Sequence, residues 1–208
     1  MQNDDQRPQN IRPAPSFLGE HLALDFLNTI AAPRGTSIEW LADGGDLKEW
    51  LSVSGAITSA DVTQIDAFSK EAMDQTAQQA VELREWFRGS LFRVKAKGRS
   101  AFEPANIKRV NNVLERGAKF SVIGAQNDGF QISVRQHLTH PDQLLVPIAT
   151  AIAALFCEAD FELVRKCENP ACTMWFYDRT KGHRRRWCSQ AVCGNRAKAA
   201  AFRQRNRN

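Results

Sequence analysis

Four cysteines near the C-terminal end are the residues whose type and spacing most directly support chemistry. They form two pairs with four residues inside each pair, Cys167 with Cys172 and Cys188 with Cys193, and fifteen residues separate the pairs. Thiolates are soft ligands, and four of them can surround one ion in a tetrahedron at about 2.3 Å. Each pair closes only a short loop, which costs little chain entropy. The pattern predicts one structural zinc ion with a closed shell of four thiolates.

Scattered thiols or two disulfides are the alternatives to a metal site. The N-terminal residues 1–15 are polar, include three prolines and lack the apolar segment of a secretory signal. We found no apolar run approaching the roughly 18 residues that a membrane span requires. These features predict a cytoplasmic protein with no membrane contact. Cysteines stay reduced in the cytoplasm, so a cluster there more often binds metal than forms disulfides.

The charge of the chain is unevenly distributed. The whole chain has a net charge of +5, but residues 165–208 contain twelve Lys/Arg and two acids, a local net charge of +10. Residues 1–164 therefore carry −5. Such asymmetry indicates different partners for the two parts, and a polyanion, most commonly nucleic acid, fits the basic part.

The basic side chains are grouped around the cysteines. Arginine makes bidentate hydrogen bonds to phosphate, so cations on a rigid metal site suit contact with a nucleic-acid backbone. A solvated basic surface is the alternative. Trp175, Phe176 and Trp187 could stack on bases, although in so small a module we expect them to form its core. The predicted nucleic-acid-binding residues are Arg184, Arg185, Arg186, Arg196, Lys198, Arg203 and Arg205.

The segment around the cysteines has the pattern of a small finger. Residues 174–177 are β-prone, residues 185–187 could form the returning strand of a hairpin, and 181–183 could form its turn. Alanines after Cys193 favour a helix. A knuckle, a hairpin and a helix around one zinc ion form a treble-clef-like arrangement. The segment is too short to fold on apolar burial alone, so metal binding would supply the folding free energy. We expect His183 to be a turn residue and Cys157 to be a buried core thiol.

We predict an α+β fold: a mainly helical N-terminal domain with a β-hairpin, followed by the zinc finger. The expected organisation is a disordered tail at 1–15, the domain at 16–160 and the finger at 161–208. Thr58 and Asp61 have the spacing of a capping box at a helix start. The turn signal at 127–129 between alternating apolar residues predicts the hairpin.

Other patterns place the longer helices. Apolar spacing predicts a helix over 77–94, and another from Pro104 to Gly117. Thr139 could cap a long apolar helix that runs to about residue 160 and forms the centre of the core. Pro147 would kink that helix unless the helix starts later.

One short apolar run contains polar residues and could line a ligand pocket. Its periodicity leaves a strand or a helix open over 22–29. His21, Asp25 and Asn28 lie in or beside this run and are the candidate pocket residues. Polar groups in such positions are more often satisfied by helix ends or by buried hydrogen bonds, so both interpretations stay open.

Two segments resemble known families. Residues 185–189 and 193–198 have the sequences RRWCS and CGNRAK, which resemble the signature of the CGNR zinc fingers. The segment LDFLNT at 24–29 resembles the ABATE domain, which precedes this finger in bacterial stress-induced transcription regulators. The resemblance implies four cysteine ligands and a DNA-binding role. Within the motif, Asn195 could cap the last helix and Gly194 could allow a backbone turn.

The favoured function is a DNA-binding transcription regulator whose N-terminal domain senses a signal or dimerises. Its expected partners are duplex DNA, a second copy in a homodimer and a small-molecule effector. An RNA-binding module, a protein-interaction zinc module, and an enzyme or small-molecule binder in the N-terminal domain are the alternatives. We expect no enzymatic activity, because the predicted zinc shell is closed and we found no convincing nucleophile and base.

Overall fold

A computed structural model of the chain describes residues 12–32 and 36–206. In these residues, helices surround a common core, and short antiparallel strand pairs connect them. The helices are α1 Leu22–Leu27, α2 Gly44–Val53, α3 Ser59–Ile65, α4 Lys70–Lys97, α5 Pro104–Leu114, α6 Val146–Glu158 and α7 Asn195–Arg205. The strands are β1 Ile30–Ala31, β2 Ile38–Glu39, β3 Lys119–Gln126, β4 Gly129–Gln136, β5 Val164–Lys166 and β6 Trp175–Tyr177. This architecture confirms the predicted α+β fold with a small C-terminal finger.

The start of α3 follows from its sequence. The Thr58 hydroxyl accepts a hydrogen bond from the Asp61 N–H at 3.3 Å, and the Asp61 carboxylate accepts one from the Thr58 N–H at 2.7 Å. The two side chains thereby accept from amide donors at the helix start, as in a capping box. The predicted cap is confirmed.

The long helix α4 extends further than its apolar spacing indicated. It begins after Ser69, whose hydroxyl accepts from the Ala72 N–H, and it ends at Lys97, before Gly98 with its positive φ of 82°. Phe87 and Leu91 are buried on its inner face, whereas Trp86 is only partly buried. The polar first two turns carry little apolar periodicity, so the sequence pattern detects the helix only from 77 onward.

The central apolar segment contains two elements, not one continuous helix. A short 3-10 turn spans Pro141–Leu145, and α6 then begins at Val146, so that Pro147 lies in the first helical turn. Proline is tolerated there, because the first amides of a helix have no partner within the helix. Because α6 starts later than Thr139, Pro147 does not kink it. Thr139 caps neither element; its N–H donates to the Gln143 side chain at 2.7 Å.

The main core forms where α6 packs against α1 and α5, and α4 packs against α2. Trp50 and Phe26 are fully buried in it. Of the run left open at 22–29, residues 22–27 form the helix α1 and residues 28–29 a turn. The segment Pro141–Glu158 is long and apolar enough to cross a membrane by length and composition, which the sequence analysis did not anticipate. More than half of it is buried inside the protein, as expected of a core helix.

A projecting hairpin joins α5 to the central apolar segment. β3 and β4 pair antiparallel with Gln126 opposite Gly129, so the connecting residues are Asn127 and Asp128. Asn127 adopts a positive φ of 49°, a conformation that asparagine tolerates. The predicted hairpin is confirmed.

The N-terminal expectation was wrong for part of its range. Residues 1–11 lie outside the described residues. The Arg12 guanidinium bonds both carboxylate oxygens of Asp46, at 2.5 and 2.7 Å, and the carbonyl of Pro13 accepts the Trp40 indole N–H at 2.8 Å. Arg12 and Pro13 therefore contact the domain, although the sequence predicted a disordered tail through residue 15.

A buried ion pair fixes the strand pair β1–β2 against the main core. Arg84 on α4 is 1% exposed, and its guanidinium makes two 2.7 Å hydrogen bonds to the Glu39 carboxylate on β2. It also donates to the Thr29 hydroxyl at 3.0 Å. A buried guanidinium requires such partners, because an uncompensated charge in the interior is strongly destabilising. This pair positions the strands against which the finger packs.

Candidate metal centre and its surroundings

The four predicted ligand cysteines come together in the fold. All four are buried, and their Sγ atoms lie within 4.8 Å of one another. Two Sγ–Sγ distances, Cys172 to Cys188 and Cys188 to Cys193, are 3.7 Å. A tetrahedron with metal–sulfur bonds of about 2.3 Å has sulfur–sulfur edges of about 3.8 Å. The cluster therefore has the size of a four-thiolate zinc site and could hold one zinc ion.

The thiols influence each other's ionisation strongly. Hydrogen bonds from Cys172 and Cys188 hold the pKa of Cys167 far below its usual range, while the bond to Cys167 raises the pKa of Cys172 to about 12. One thiolate is thus stabilised at the expense of its neighbours. A divalent cation at the centre would remove this conflict, because it favours the ionised form of every thiol that contacts it.

The first cysteine pair is held by a strand pair and a tight turn. β5 and β6 pair antiparallel across the knuckle, and the Cys167 N–H donates to the Met174 carbonyl at 2.9 Å. The buried Asn169 closes the knuckle, because its side-chain oxygen accepts from the Ala171 N–H and its carbonyl from the Cys172 N–H. The prediction that residues 185–187 pair with this strand was wrong: β5 from before the first ligand occupies that place.

The second cysteine pair lies at the start of the last helix. The Ser189 hydroxyl accepts from the Val192 N–H, and the Ser189 carbonyl accepts from the Cys193 N–H at 2.9 Å. Ser189 therefore caps the wide helical turn Gln190–Gly194 that precedes α7. Sequence reasoning missed this role, although a serine four residues before a predicted helix-start ligand is a usable signal.

The structure gives the motif residues 194 and 195 roles other than those expected. Asn195 is the first residue of α7, so it does not cap the helix. Gly194 has ordinary helical angles, but a Cβ there would lie 2.6 Å from the Gln190 side-chain amide. The glycine therefore permits close packing against Gln190 and is not needed for an unusual backbone turn.

The finger shares a core with the N-terminal region. Ala31 and Trp40 pack in the same buried cluster as Phe176 and the four cysteines, while Trp175 belongs to the main core. The Phe92 and Trp175 rings meet nearly at right angles, with their centroids 5.1 Å apart. Trp175 and Phe176 are therefore core residues, as the sequence analysis favoured over base stacking. The partly buried Trp187 packs against this cluster.

Direct hydrogen bonds also join the two parts. Both backbone groups of Trp175 bond the Asn28 side chain, the Ala32 N–H donates to the Thr173 hydroxyl at 2.9 Å, and the Tyr177 N–H donates to the Gly19 carbonyl at 2.8 Å. These bonds connect segments that are far apart in sequence. The metal centre is thus hydrogen-bonded directly to the N-terminal region.

The three candidate pocket residues make internal contacts. Burial, together with Arg179, lowers the pKa of His21, and its neutral Nδ1 accepts from the Ala23 N–H at the start of α1. Asp25 is buried and accepts from the Gly19 N–H at 2.8 Å; burial raises its pKa to about 6. With Asn28 bonded to Trp175, these contacts favour the structural alternative. An open cleft of about 590 Å³ lies elsewhere, between α3 and the β3–β4 hairpin.

Arg185 is turned into the protein. Its guanidinium donates to the carbonyls of Leu18 at 2.9 Å and Cys188 at 2.7 Å, and its Nε donates to that of Trp187 at 3.1 Å. It also lies over the Phe176 ring, 4.3 Å from the centroid. The side chain holds the N-terminal segment to the metal centre, so these donors are not available to a phosphate.

The remaining predicted cations lie closer to solvent. Arg184 is exposed, and Arg186 pairs with Glu168 at 2.6 Å while lying over the Trp187 ring. Lys198, Arg203 and Arg205 are exposed on α7, and Arg196 at its start is partly exposed. Every residue of α7 is at least partly exposed.

The prediction for His183 agrees with the structure, and the prediction for Cys157 does not. His183 lies in the turn after Asp178 with a positive φ of 48°, as expected for a turn residue. Cys157 was expected to be a buried core thiol, but it is exposed on the outer side of α6. The strongly apolar composition of α6 conceals which of its sides faces solvent.

The fold and the metal centre define a class of protein, a helical α+β domain carrying a four-cysteine zinc finger that shares its core. The chain belongs to the ABATE family, whose profile, described as "Putative stress-induced transcription regulator", matches residues 20–159. The CGNR zinc finger profile matches residues 164–206. A comparison with curated proteins gave no match. Both resemblances drawn from the sequence are confirmed.

Proposed function

We propose that this protein is a DNA-binding transcription regulator whose zinc finger contacts duplex DNA through α7. The observation that carries the proposal is the exposure of α7, which begins two residues after the fourth cysteine and has no acidic residue. The metal centre fixes the first turn of this helix. A helix held at one end and exposed along its length can enter a groove without displacing other parts of the protein.

The dimensions of α7 favour duplex DNA over duplex RNA. Eleven residues form a helix about 16 Å long. The major groove of B-DNA, about 12 Å wide, admits an α-helix, whereas the deep and narrow major groove of A-form RNA does not. The alanines 197 and 199–201 keep the helix thin, and Lys198, Arg203 and Arg205 can reach phosphates on the groove walls.

Arg184 completes the proposed contact surface, and Arg185 is left out of it because its donors are used internally. Arg186 contributes less, since binding to phosphate would compete with its ion pair to Glu168. A single finger offers a small contact area, and useful sequence specificity usually requires two copies on adjacent half-sites.

Fluorescence anisotropy with labelled duplex DNA at several salt concentrations tests the proposal. The full chain is compared with a Lys198→Ala/Arg203→Ala variant, because deleting the finger would remove Trp175 from the main core. The slope of log K against log salt is negative, and we expect its magnitude to decrease by about 0.9 for each lost phosphate contact. Lys108→Ala, an exposed cation on α5, is the matched control and should leave the slope unchanged.

The alternatives give different results in the same assay. Structured RNA that competes better than duplex DNA would favour an RNA-binding module. A full chain that fails to bind either nucleic acid at low salt, where electrostatic attraction is strongest, would overturn the proposal and leave a protein-interaction module.

A further inference from the structure

The β3–β4 hairpin presents one apolar face to solvent. Residues directly opposite one another share a face, and so do alternate residues along a strand. The pairs Ile123 with Ile132, Ala125 with Phe130, and Ser121 with Val134 therefore lie on one side. We call these six residues the hairpin face. Its large side chains are 70% exposed at Ile123, 82% at Phe130, 72% at Ile132 and 66% at Val134.

Among the described residues, the hydrogen bonds that join this hairpin to the rest of the domain lie at its base. The Gln64 side chain on α3 donates to the Gln136 carbonyl and accepts from the Leu138 N–H, and the His137 N–H donates to the Ala118 carbonyl. Toward the turn, the described residues place no third strand beside β3 or β4. A two-stranded hairpin is at best marginally stable in water without packing against another element, so an uncovered face of this kind indicates an interface.

The composition of the face excludes several occupants. None of its six residues is charged, so a nucleic acid would find no counter-charge among them. The chain's own first eleven residues are mostly polar, with Met1 and Ile11 as their large apolar side chains, and would cover little of it. An uncharged, strongly apolar surface fits another surface of the same chemistry.

The strand register makes the face complementary to itself. β3 supplies two small residues, Ser121 and Ala125, and each lies opposite a larger residue of β4, Val134 or Phe130. If a second hairpin lies face to face on the first, related by a twofold axis parallel to the strands, β3 of each copy covers β4 of the other. Phe130 and Val134 then each meet a small residue, the partner's Ala125 or the partner's Ser121, and Ile123 meets the partner's Ile132.

We propose that the hairpin face is the interface with a second copy of this chain in a twofold-symmetric dimer. Such an interface uses the same patch on both copies, as a twofold axis requires. The exposed apolar area is on the order of 500 Å², which is within the range of the largest patch on a soluble monomer, and such patches are often functional. It is smaller than the roughly 800 Å² per partner of a standard interface, so we expect a dissociation constant in the micromolar range.

Sedimentation velocity of the zinc-loaded full chain without nucleic acid tests the proposal, over protein concentrations from about 1 to about 200 μM. The wild type should change from monomer to dimer within this range. Ile132→Lys should stay monomeric, because the dimer would bury an unpaired ammonium group. Gln131→Lys, on the neighbouring exposed residue of the opposite face, is the matched control and should dimerise like the wild type.

A mixing experiment tests the facing arrangement. Ile123→Glu and Ile132→Lys should each be monomeric alone, and an equal mixture should form a heterodimer. In the heterodimer one of the two contacts between positions 123 and 132 pairs Glu with Lys, and the other keeps two isoleucines. Circular dichroism should be unchanged for both variants, since both positions are mostly exposed. A monomeric wild type at the highest concentration, or an Ile132→Lys variant that still dimerises, would overturn the proposal. A mixture that stays monomeric would overturn the parallel-axis arrangement.

The proposal goes beyond DNA binding and is tested independently of it. Neither substitution lies on α7 or near the cysteines, so a variant that becomes monomeric but keeps its affinity for a single half-site leaves both proposals standing. A wild type that dimerises without binding DNA supports this inference alone.

Discussion

The side chain of Asn28 bonds both backbone groups of Trp175. Its Nδ2 donates to the Trp175 carbonyl at 2.8 Å, and its Oδ1 accepts from the Trp175 N–H at 2.9 Å, across 147 positions of sequence. In the part of the chain that the structure describes, β6 has β5 as its one neighbouring strand, and the amide takes the place of a second. Because Asn28 follows α1 directly and Trp175 lies between the cysteine pairs, this contact couples the metal centre to the helical core.

Replacing Asn28 with Ala should destabilise the whole chain. The substitution leaves the N–H and the carbonyl of the buried Trp175 without partners, and each such group costs about 1–3 kcal/mol. We expect a loss of about 2–4 kcal/mol in the free energy of unfolding, measured by urea denaturation. Asn111→Ala, on the exposed side of α5, is the control and should change stability by less than about 0.5 kcal/mol. A variant as stable as this control would contradict the assigned role of Asn28.

The sequence was informative wherever a few neighbouring residues determine the structure. The Thr58–Asp61 cap, the turn at Asn127 and the helix after Cys193 depend on local bonds or backbone preferences, and all are present. The cysteine cluster was equally predictable, because ligand type and spacing largely define a four-thiolate site.

Long-range pairing could not be predicted in the same way. β6 was expected to pair with residues 185–187, but it pairs with Val164–Lys166. Both candidates are short and basic, and periodicity does not distinguish them. Asn28 and Arg185 also act over long distances: one bonds Trp175 and the other bonds Leu18. A single sequence gives only the donors and acceptors, and the fold decides which of them meet.

Removing zinc should loosen the N-terminal strand pair as well as the finger. Trp40 packs in the cluster that contains the four cysteines, and its backbone N–H donates to the Thr29 carbonyl at 2.8 Å. Structural zinc contributes directly to folding free energy. After chelation, we expect the Trp40 amide to lose protection in hydrogen-exchange mass spectrometry, with a lower melting temperature for the whole chain. Zinc loss without a change at Trp40 would show that the two cores are independent.

A pair of cysteine variants checks the ligand set. Cys172→Ser should abolish stable binding of the single zinc ion in native mass spectrometry, because it removes one of four buried ligands. Cys157→Ser changes an exposed thiol outside the cluster and should retain one zinc per chain. Equal zinc content in the two variants would exclude the proposed shell.

Asp25 should make stability decrease with rising pH over a defined range. Burial raises its pKa in the folded protein from 3.8 to about 6, so between these values the folded state keeps a proton that the unfolded state has lost. Stability contributed by the protonated carboxyl is therefore complete below about pH 4, falls as the pH rises to about 6, and stays low above that.

Asp25→Asn isolates this contribution. The amide keeps an oxygen that can accept from the Gly19 N–H but does not ionise. Relative to the wild type, we expect the variant to be more stable at pH 7 by on the order of 2–3 kcal/mol, with little difference at pH 4. Urea denaturation at both pH values measures the difference. A stability gain that is the same at both values would mean that ionisation of Asp25 is not its cause.

The neighbouring residues Arg184 and Arg185 should separate DNA binding from folding. Arg185→Ala leaves the carbonyls of Leu18 and Cys188 without their donor, and we expect a loss of about 2–4 kcal/mol in stability. Arg184→Ala changes an exposed side chain, so its stability should stay within about 0.5 kcal/mol of the wild type. The DNA affinity of Arg184→Ala at low salt should fall instead, and the magnitude of its salt slope should decrease by about 0.9.

Arg185→Lys should recover little of the stability lost in Arg185→Ala, because an ammonium group cannot bond several carbonyls in the planar geometry of a guanidinium. If Arg185→Ala is as stable as the wild type and loses affinity for DNA, the side chain contacts DNA and its assignment to the interior is wrong.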